Sequence, residues 1–266
     1  MKRKAVNPSI PALLSKKPNR MSRLTLMSTL LLILCSVLRS RAEVAVPQTI
    51  SQGDDLSSMV WPADSTLTDV SEMLKLFSNQ PIADTTFNRM KGRSYPAGCP
   101  IARSDLRYLI IPHFDGRGNI RIGEMVCNRA IAADLIEIFK ELFRQRYPIE
   151  KMRLIDDFNG DDEASMAANN TSCFNYRRVA GSRSLSLHAR GMAVDINPLY
   201  NPMVGTTRKG TLRVSPAEGK PYADRTQTNP YFIRHGDSVW QLFRRHGFTW
   251  GGSWRTKKDY QHYQKR

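Results

Sequence analysis

The sequence has few of the features that mark cysteine-based chemistry. Four cysteines occur among its 266 residues, and no two of them are spaced as Cys-x-x-Cys. Cys35 falls in an apolar amino-terminal segment, which leaves Cys99, Cys127 and Cys173 for the folded part. The missing pairs argue against a zinc site built on thiolates, and no neighbouring histidine supports a catalytic thiol. In an oxidising compartment, two of the three remaining cysteines could pair, and one thiol would be left over.

Internal repeats, low-complexity tracts and a run long enough to span a membrane are also missing. The composition, 41% hydrophobic and 24% charged, is that of a globular protein with a buried core. Residues 24–38 are uncharged and mainly apolar, but a transmembrane helix needs about 20 such residues. The composition therefore excludes a disordered, collagenous or coiled-coil chain, and the apolar run is short for a transmembrane helix.

Acidic residues are lacking at the amino terminus. Residues 1–42 carry nine basic side chains and no acidic one, and the apolar stretch ends shortly before Ser40-Arg41-Ala42. This pattern predicts an export signal, with Met21 as a possible true start and an uncleaved amino-terminal anchor as the alternative. We expect the folded part in the periplasm, the cell envelope or outside the cell, with no stable membrane span after cleavage. The net charge of +16 falls to +7 without this segment, so nucleic acid is not expected as a partner.

The remaining sequence predicts two regions. Residues 43–104 mix scattered prolines with polar residues and are interpreted as an extension, whereas residues 105–266 carry regular patterns. Two apolar stretches around residues 115–118 predict a strand pair, and helical spacing predicts helices over 128–146 and 238–246. Residues 192–196 predict a strand, residues 156–163 a solvated acidic turn, and residues 198–230 a long loop. The predicted fold is a single compact α+β domain with a small antiparallel sheet flanked by helices, and we expect a monomer.

The most informative segment runs from Ser184 to Pro198. His188 and Asp195 lie seven positions apart, with Gly191 between them. The β-branched residues after the glycine favour a strand, so a turn at Gly191 would fold His188 back toward Asp195. A carboxylate between apolar neighbours is costly unless it is paired or bound to a metal.

A second carboxylate and imidazole, Asp259 and His262, stand three positions apart near the end of the chain. His188, Asp195 and His262 would supply two nitrogens and one oxygen to a metal with one open position, which is typical of catalytic zinc. Asp259 would then be close enough to take a proton from water. From these residues alone, a purely structural His188 is an equally good interpretation.

These motifs resemble the zinc D-alanyl-D-alanine carboxypeptidases and L-alanyl-D-glutamate endopeptidases that cut peptidoglycan stem peptides. The matching pattern, SxHxxGxAxD, is met at positions 186–195, and WGGxW and DxxH follow at 250–254 and 259–262. FNxR precedes it at 174–177, and the resemblance extends over about residues 105–266. It implies a hedgehog-like fold, one zinc ion on His188, Asp195 and His262, Asp259 as general base, and Arg177 as the arginine that polarises the substrate.

The resemblance implies an exported zinc peptidase whose partner is peptidoglycan or its muropeptides. Ser186 and Trp250 are the candidate substrate-binding residues, although aromatic residues in this region are also typical of a core. Ser253 stands where the family usually has an acidic residue, and Tyr263 where it has phenylalanine. The serine leaves open an alternative function, a non-catalytic wall-binding module that keeps the fold and the zinc.

Overall fold

A computed structural model of the protein describes residues 46–62, 70–179, 182–207 and 209–266. The predicted export signal at residues 1–42 lies outside these ranges. Within them, no helix combines the length and the apolar character needed to cross a membrane. The structure mixes helices with small antiparallel sheets, in agreement with the predicted α+β class.

The largest sheet is antiparallel and has the order β1-β4-β3-β2. Its strands are β1 (Val60–Trp61), β2 (Ser78–Pro81), β3 (Leu106–Phe114) and β4 (Ile120–Asn128). The two central strands confirm the predicted strand pair. The carboxylate of Asp115 closes the turn between them, because Oδ1 accepts from the backbone N–H groups of Arg117 and Asn119, both at 2.9 Å. The outer strands β1 and β2 come from the region interpreted as an extension.

Helix α3 (Arg129–Arg144) covers this sheet and confirms the helix predicted from residue 128. It begins where predicted, because Asn128 Oδ1 accepts from the N–H of Ala130 at 2.9 Å, as helix N-caps do. Its apolar face is fully buried at Leu135, Ile138 and Phe139. The other helices are α1 (Val70–Lys75), α2 (Asp84–Met90), α4 (Asp162–Ala167) and α5 (Ser238–Arg245). Helix α5 confirms the helix predicted after Asp237.

Two three-stranded antiparallel sheets form the carboxyl-terminal part, in the orders β5-β10-β8 and β7-β6-β9. Their strands are β5 (Ala193–Asp195), β6 (Met203–Thr206), β7 (Leu212–Ser215), β8 (Thr249–Trp250), β9 (Lys257–Asp259) and β10 (His262–Gln264). Strand β5 confirms the prediction for residues 192–196. The expectation of a continuous loop over 198–230 is wrong, because β6 and β7 form a hairpin there. Strands β6 and β7 are short and poorly buried, so no buried apolar face marks them in the sequence. Strand β6 also pairs with β9, which lies far along the chain, and local sequence does not predict such a pairing.

Gly191 forms the turn that the sequence required between His188 and Asp195. Its φ is +67°, in the left-handed region, and a Cβ there would lie 2.6 Å from the backbone nitrogen of Asn128. The glycine carbonyl accepts from that same N–H at 2.9 Å. Gly191 therefore docks the histidine turn on the junction of β4 and α3, and only a residue without a side chain fits.

We expect Gly191→Ala to lower the free energy of unfolding by about 2–4 kcal/mol, because left-handed strain adds to overlap with a backbone. Urea unfolding in the presence of a chelator would measure this without a contribution from bound metal. Gly210→Ala is the matched control: its φ is +78°, but no atom lies within 4 Å of the added carbon. That variant should lose only about 1 kcal/mol. Equal losses in the two variants would show that the close contact with Asn128 is unimportant.

Candidate metal centre and catalytic cleft

Three side chains from separate elements meet in the interior. His188 opens a short 3-10 turn (His188–Arg190), Asp195 ends β5 and His262 begins β10. In the antiparallel pairing of these strands, His262 lies directly opposite Asp195. All three residues are buried. The sheet register and the turn at Gly191 thus bring together residues that are up to 74 positions apart.

The donor atoms of this cluster are close enough to share one ion. His188 Nε2 lies 3.3 Å from Asp195 Oδ2 and 3.2 Å from His262 Nδ1. His262 Nδ1 lies 3.1 Å from Asp195 Oδ1. Ligands held about 2.0–2.1 Å from a tetrahedral zinc ion are about 3.3 Å apart. The separations and the donor set of two nitrogens and one carboxylate therefore fit zinc.

The outer nitrogens of both imidazoles face oxygen acceptors. His188 Nδ1 is 2.7 Å from the carbonyl oxygen of Cys173, and His262 Nε2 is 3.0 Å from Gln264 Oε1. Each outer nitrogen therefore donates its N–H, and in the neutral rings the inner nitrogens present lone pairs to the cluster. Outer partners of this kind are typical of metal-binding histidines.

The electrostatics of the cluster favour a positive charge at its centre. Burial alone would raise the pKa of Asp195, but His188 and His262 outweigh it and hold that pKa well below its ordinary value. Burial would lower the pKa of His262, but its hydrogen bond to Asp195 and the charge of that carboxylate raise it overall. A proton on His262 or a metal ion can supply the charge.

Asp259 ends β9 beside this cluster. Its Oδ1 is buried and has no hydrogen-bond partner among the described residues. Burial raises the pKa of Asp259; the charge of His262 opposes this, and that of Asp195 reinforces it. Gly251 permits the approach, since a Cβ there would lie 2.7 Å from the Cβ of Asp259. Oδ1 of Asp259 is thus free to accept a proton from a molecule bound beside the cluster.

Arg177 lies near the same cluster and forms an ion pair with Asp162. Its Nη2 lies 2.6 Å from Oδ2 of Asp162 in the first turn of α4, while its Nε is buried without a partner. The backbone carbonyl of Arg177 accepts from the N–H of Ser186 at 3.1 Å, which joins this segment to the histidine motif. The expectation of a solvated acidic turn at 156–163 is wrong for Asp156, which is buried and bonded to Ser94. The ion pair of Asp162 with Arg177 was not predicted either, because no sequence motif singles out Asp162.

These residues line one cleft with a volume of about 710 Å³: the candidate metal-binding cluster (His188, Asp195 and His262), Asp259 and Arg177. Ser186 also lines it, and its Oγ accepts from the backbone N–H of His188 at 3.2 Å. Trp250 does not line this cleft but a neighbouring one; it is buried, and its Nε1 donates to the carbonyl of Tyr260 at 2.8 Å. Trp254 does line the cleft, with its ring centroid 5.3 Å from that of His262.

The thiols of the three cysteines and the ring of His246 are not part of this cluster. Cys99, Cys127 and Cys173 are all free thiols, so the expected pairing of two of them is not found in the structure. Cys173 instead contributes its backbone carbonyl to His188. His246 is bonded to Asp134 through Nδ1 at 3.1 Å, away from the cleft. Within the described ranges, His188, Asp195 and His262 are the group that could hold a metal ion.

Comparison with known proteins agrees with this geometry. Residues 180–265 match the model of a protein family described as D-alanyl-D-alanine carboxypeptidase. The match includes His188, Asp195, Asp259 and His262, whereas Arg177 precedes it. No curated protein and no solved structure matches the chain. Residues 180–265 of the chain are thus similar to the D-alanyl-D-alanine carboxypeptidase family of peptidases.

Proposed function

We propose that the protein is an exported zinc metallopeptidase that hydrolyses peptide bonds in the stem peptides of peptidoglycan. The observation that carries the proposal is the arrangement in one cleft of two imidazole nitrogens and a carboxylate whose nearest atoms are 3.1–3.3 Å apart, beside an unpartnered carboxylate oxygen of Asp259. The family match supports a peptidase. Export is supported by the basic and apolar character of residues 1–42.

The proposed mechanism divides the reaction among the residues of the cleft. Zinc held by His188, Asp195 and His262 would supply the Lewis acidity that makes water a nucleophile near neutral pH. Asp259 Oδ1 accepts the proton that the attacking water loses, and the same carboxyl group returns a proton to the leaving amine nitrogen. Because water attacks directly, no covalent acyl-enzyme forms.

Arg177 acts on the carbonyl oxygen of the scissile bond. That oxygen becomes negative as water adds, and a guanidinium aimed at it stabilises the developing charge. The unpartnered Nε can donate to the substrate while Nη2 stays with Asp162. In this role Asp162 is a positioning residue, since it holds the guanidinium in the cleft.

We expect Arg177→Ala to lower kcat/KM by about 10²–10³-fold with the zinc content unchanged, because it removes charge stabilisation and no ligand. Steady-state kinetics with a synthetic stem peptide and elemental analysis would measure the two quantities. Arg178→Ala is the matched control. Arg178 is the next residue in the chain, but its guanidinium donates to the carbonyl of Arg183 and does not line the cleft. A rate in Arg177→Ala equal to that of the control would remove Arg177 from the mechanism.

Mass spectrometry of muropeptides incubated with the purified protein tests the function itself. Cleavage that stops on addition of a chelator and returns with zinc is the expected result. Loss of a terminal alanine would identify a carboxypeptidase, and an internal cut an endopeptidase. Binding to zinc and to sacculi without any cleavage would instead establish the wall-binding module.

A further inference from the structure

The sheet β7-β6-β9 presents one of its faces to the cleft. In its antiparallel register, Gly205 of β6 lies opposite Arg213 of β7 and opposite Lys257 of β9. Residues directly opposite one another in neighbouring strands project from the same face of a sheet. All three residues line the cleft of about 710 Å³, so a row of arginine, glycine and lysine crosses its wall.

The next row on this face contains the candidate general base. Met203 lies opposite Ser215 and opposite Asp259, two positions along each strand from the first row, and these residues also line the cleft. Lys257 and Asp259 are therefore neighbours on one face of β9, and Nζ of Lys257 lies 3.9 Å from Oδ2 of Asp259. The row with the two cations thus stands beside the carboxyl group proposed to protonate the leaving amine.

Gly205 leaves a space between the two cations. Neighbouring strands are about 4.8 Å apart, so the backbones of Arg213 and Lys257 stand about 10 Å apart with no side chain between them. The φ of Gly205 lies outside the left-handed region, and a Cβ there would lie 3.3 Å from the Cβ of Lys257. Backbone conformation therefore does not require this glycine, whereas the space beside Lys257 does. A carboxylate has two acceptor oxygens and can bridge a guanidinium and an ammonium on either side of it.

The positive charge of this row is largely uncompensated. Arg213 is exposed, and it forms no ion pair with a carboxylate in the part of the chain that the structure describes. The 3.9 Å between Lys257 and Asp259 is longer than a hydrogen bond. Glu163 also lines the cleft, but its Oε1 accepts from Oγ of Ser215 at 2.7 Å. An anionic group of a substrate can therefore supply the missing partner.

We infer that Arg213 and Lys257 bind a carboxylate on the first substrate residue after the scissile bond. The inference deepens the proposed function and rests on it, because it adds a specificity-determining subsite to the same cleft. The nitrogen of that residue must come within hydrogen-bond reach of Asp259, and its α-carboxyl group is attached to the same carbon as the nitrogen. The carboxylate is either the chain terminus or the free α-carboxyl group of an internal residue whose side chain continues the peptide.

Three synthetic stem peptides distinguish these two sources. The first carries free carboxylates at its terminus and on its internal glutamyl residue, which is joined through the side chain. The second is amidated at the terminus alone, and the third at the glutamyl carboxylate alone. We expect one amidation to lower kcat/KM of the wild-type protein by about 10–100-fold, the effect of a lost hydrogen bond between charged groups. The peptide that suffers identifies the source, and mass spectrometry of the products locates the cut beside it.

Variants connect this preference to the two side chains. Arg213→Gln and Lys257→Gln should each bring the ratio of kcat/KM between the free and the amidated peptide toward one, whereas Arg213→Lys keeps the charge and most of the ratio. A purely structural role would lower both rates and leave their ratio unchanged. Lys258→Gln is the matched control, because Lys258 lies opposite Val204 on the other face of the sheet and does not line the cleft. It should keep the wild-type ratio.

The outcomes separate this inference from the proposed function. Equal cleavage of all three peptides, or an amidation penalty that persists in both glutamine variants, overturns the inference and leaves the proposed function standing. If the wild type cleaves none of them, the proposed function fails and calorimetry with the same peptides decides. Binding that is weakened at least tenfold by one amidation and by Arg213→Gln then supports the inference, and binding without that difference overturns it. Arg213 is exposed, so its replacement leaves the core intact.

Discussion

Replacing His188 by alanine is expected to reduce zinc from about one ion per chain to a trace and to abolish peptidase activity. In the proposed zinc site His188 is one of three protein ligands, and its Nε2 lies within 3.3 Å of both of the others. Two remaining ligands do not hold zinc in competition with water and buffer. Elemental analysis after gel filtration, with activity assayed on the same samples, measures both effects. His262→Ala should give the same result.

Gln264→Leu provides a graded comparison for this prediction. The variant keeps all three ligands and removes the acceptor of the His262 Nε2–H group. Loss of such an outer partner typically weakens metal affinity by about 10–100-fold, which competition with a chromogenic chelator would detect. His246→Ala is the control, because this histidine bonds to Asp134 away from the cleft. Full zinc occupancy in His188→Ala would show that zinc binds elsewhere and that His188, Asp195 and His262 only pair with one another.

Replacing Asp259 by asparagine is expected to lower kcat by about 10²–10⁴-fold while folding and zinc content persist. General acid–base groups contribute rate factors of this size, and an amide cannot take the proton from water. The fold should tolerate the change because Asp259 is buried and burial already disfavours its charge. An asparagine has nearly the same shape, so it removes the free-energy cost of burying a charge without leaving a cavity.

Kinetics at saturating zinc, together with thermal unfolding, measure this second effect. Asp224→Asn is a suitable control, because Asp224 is an exposed carboxylate whose partner is the neighbouring Thr226. It should cleave at the wild-type rate. Wild-type kcat in Asp259→Asn would exclude this residue as the general base, although the metal site and the peptidase class would be unaffected by that result.

Some of the secondary structure was predictable because its determinants are close together in the chain. The strands β3 and β4 are apolar segments on either side of a short turn, and α3 combines an Asn128 cap with apolar residues at helical spacing. The hairpin β6–β7 was not predictable in this way. Its strands are half-buried or exposed, and its pairing with β9 supplies the register that local sequence lacks.

The candidate site shows the same division. The ligand types and their order were readable because His188, Gly191 and Asp195 lie within eight positions, and a buried carboxylate demands a partner. The contacts that orient them come from elsewhere. The backbone carbonyl of Cys173 accepts from His188, and no side-chain pattern predicts a backbone contact. Asp162, in helix α4, forms an ion pair with Arg177.

By itself, the sequence determined the types and spacing of the proposed ligands, the glycine turn between two of them and the similarity to a peptidase family, since these depend on residue type and short spacing. Only the tertiary structure decided what surrounds them. The register of β5 against β10 set His262 opposite Asp195. The packing of β8 and β10 buried Trp250 while Trp254 faced the cleft. The reason is that these neighbours are brought together by the pairing of strands that are far apart in the chain, and side-chain periodicity within one segment carries no information about such distant neighbours.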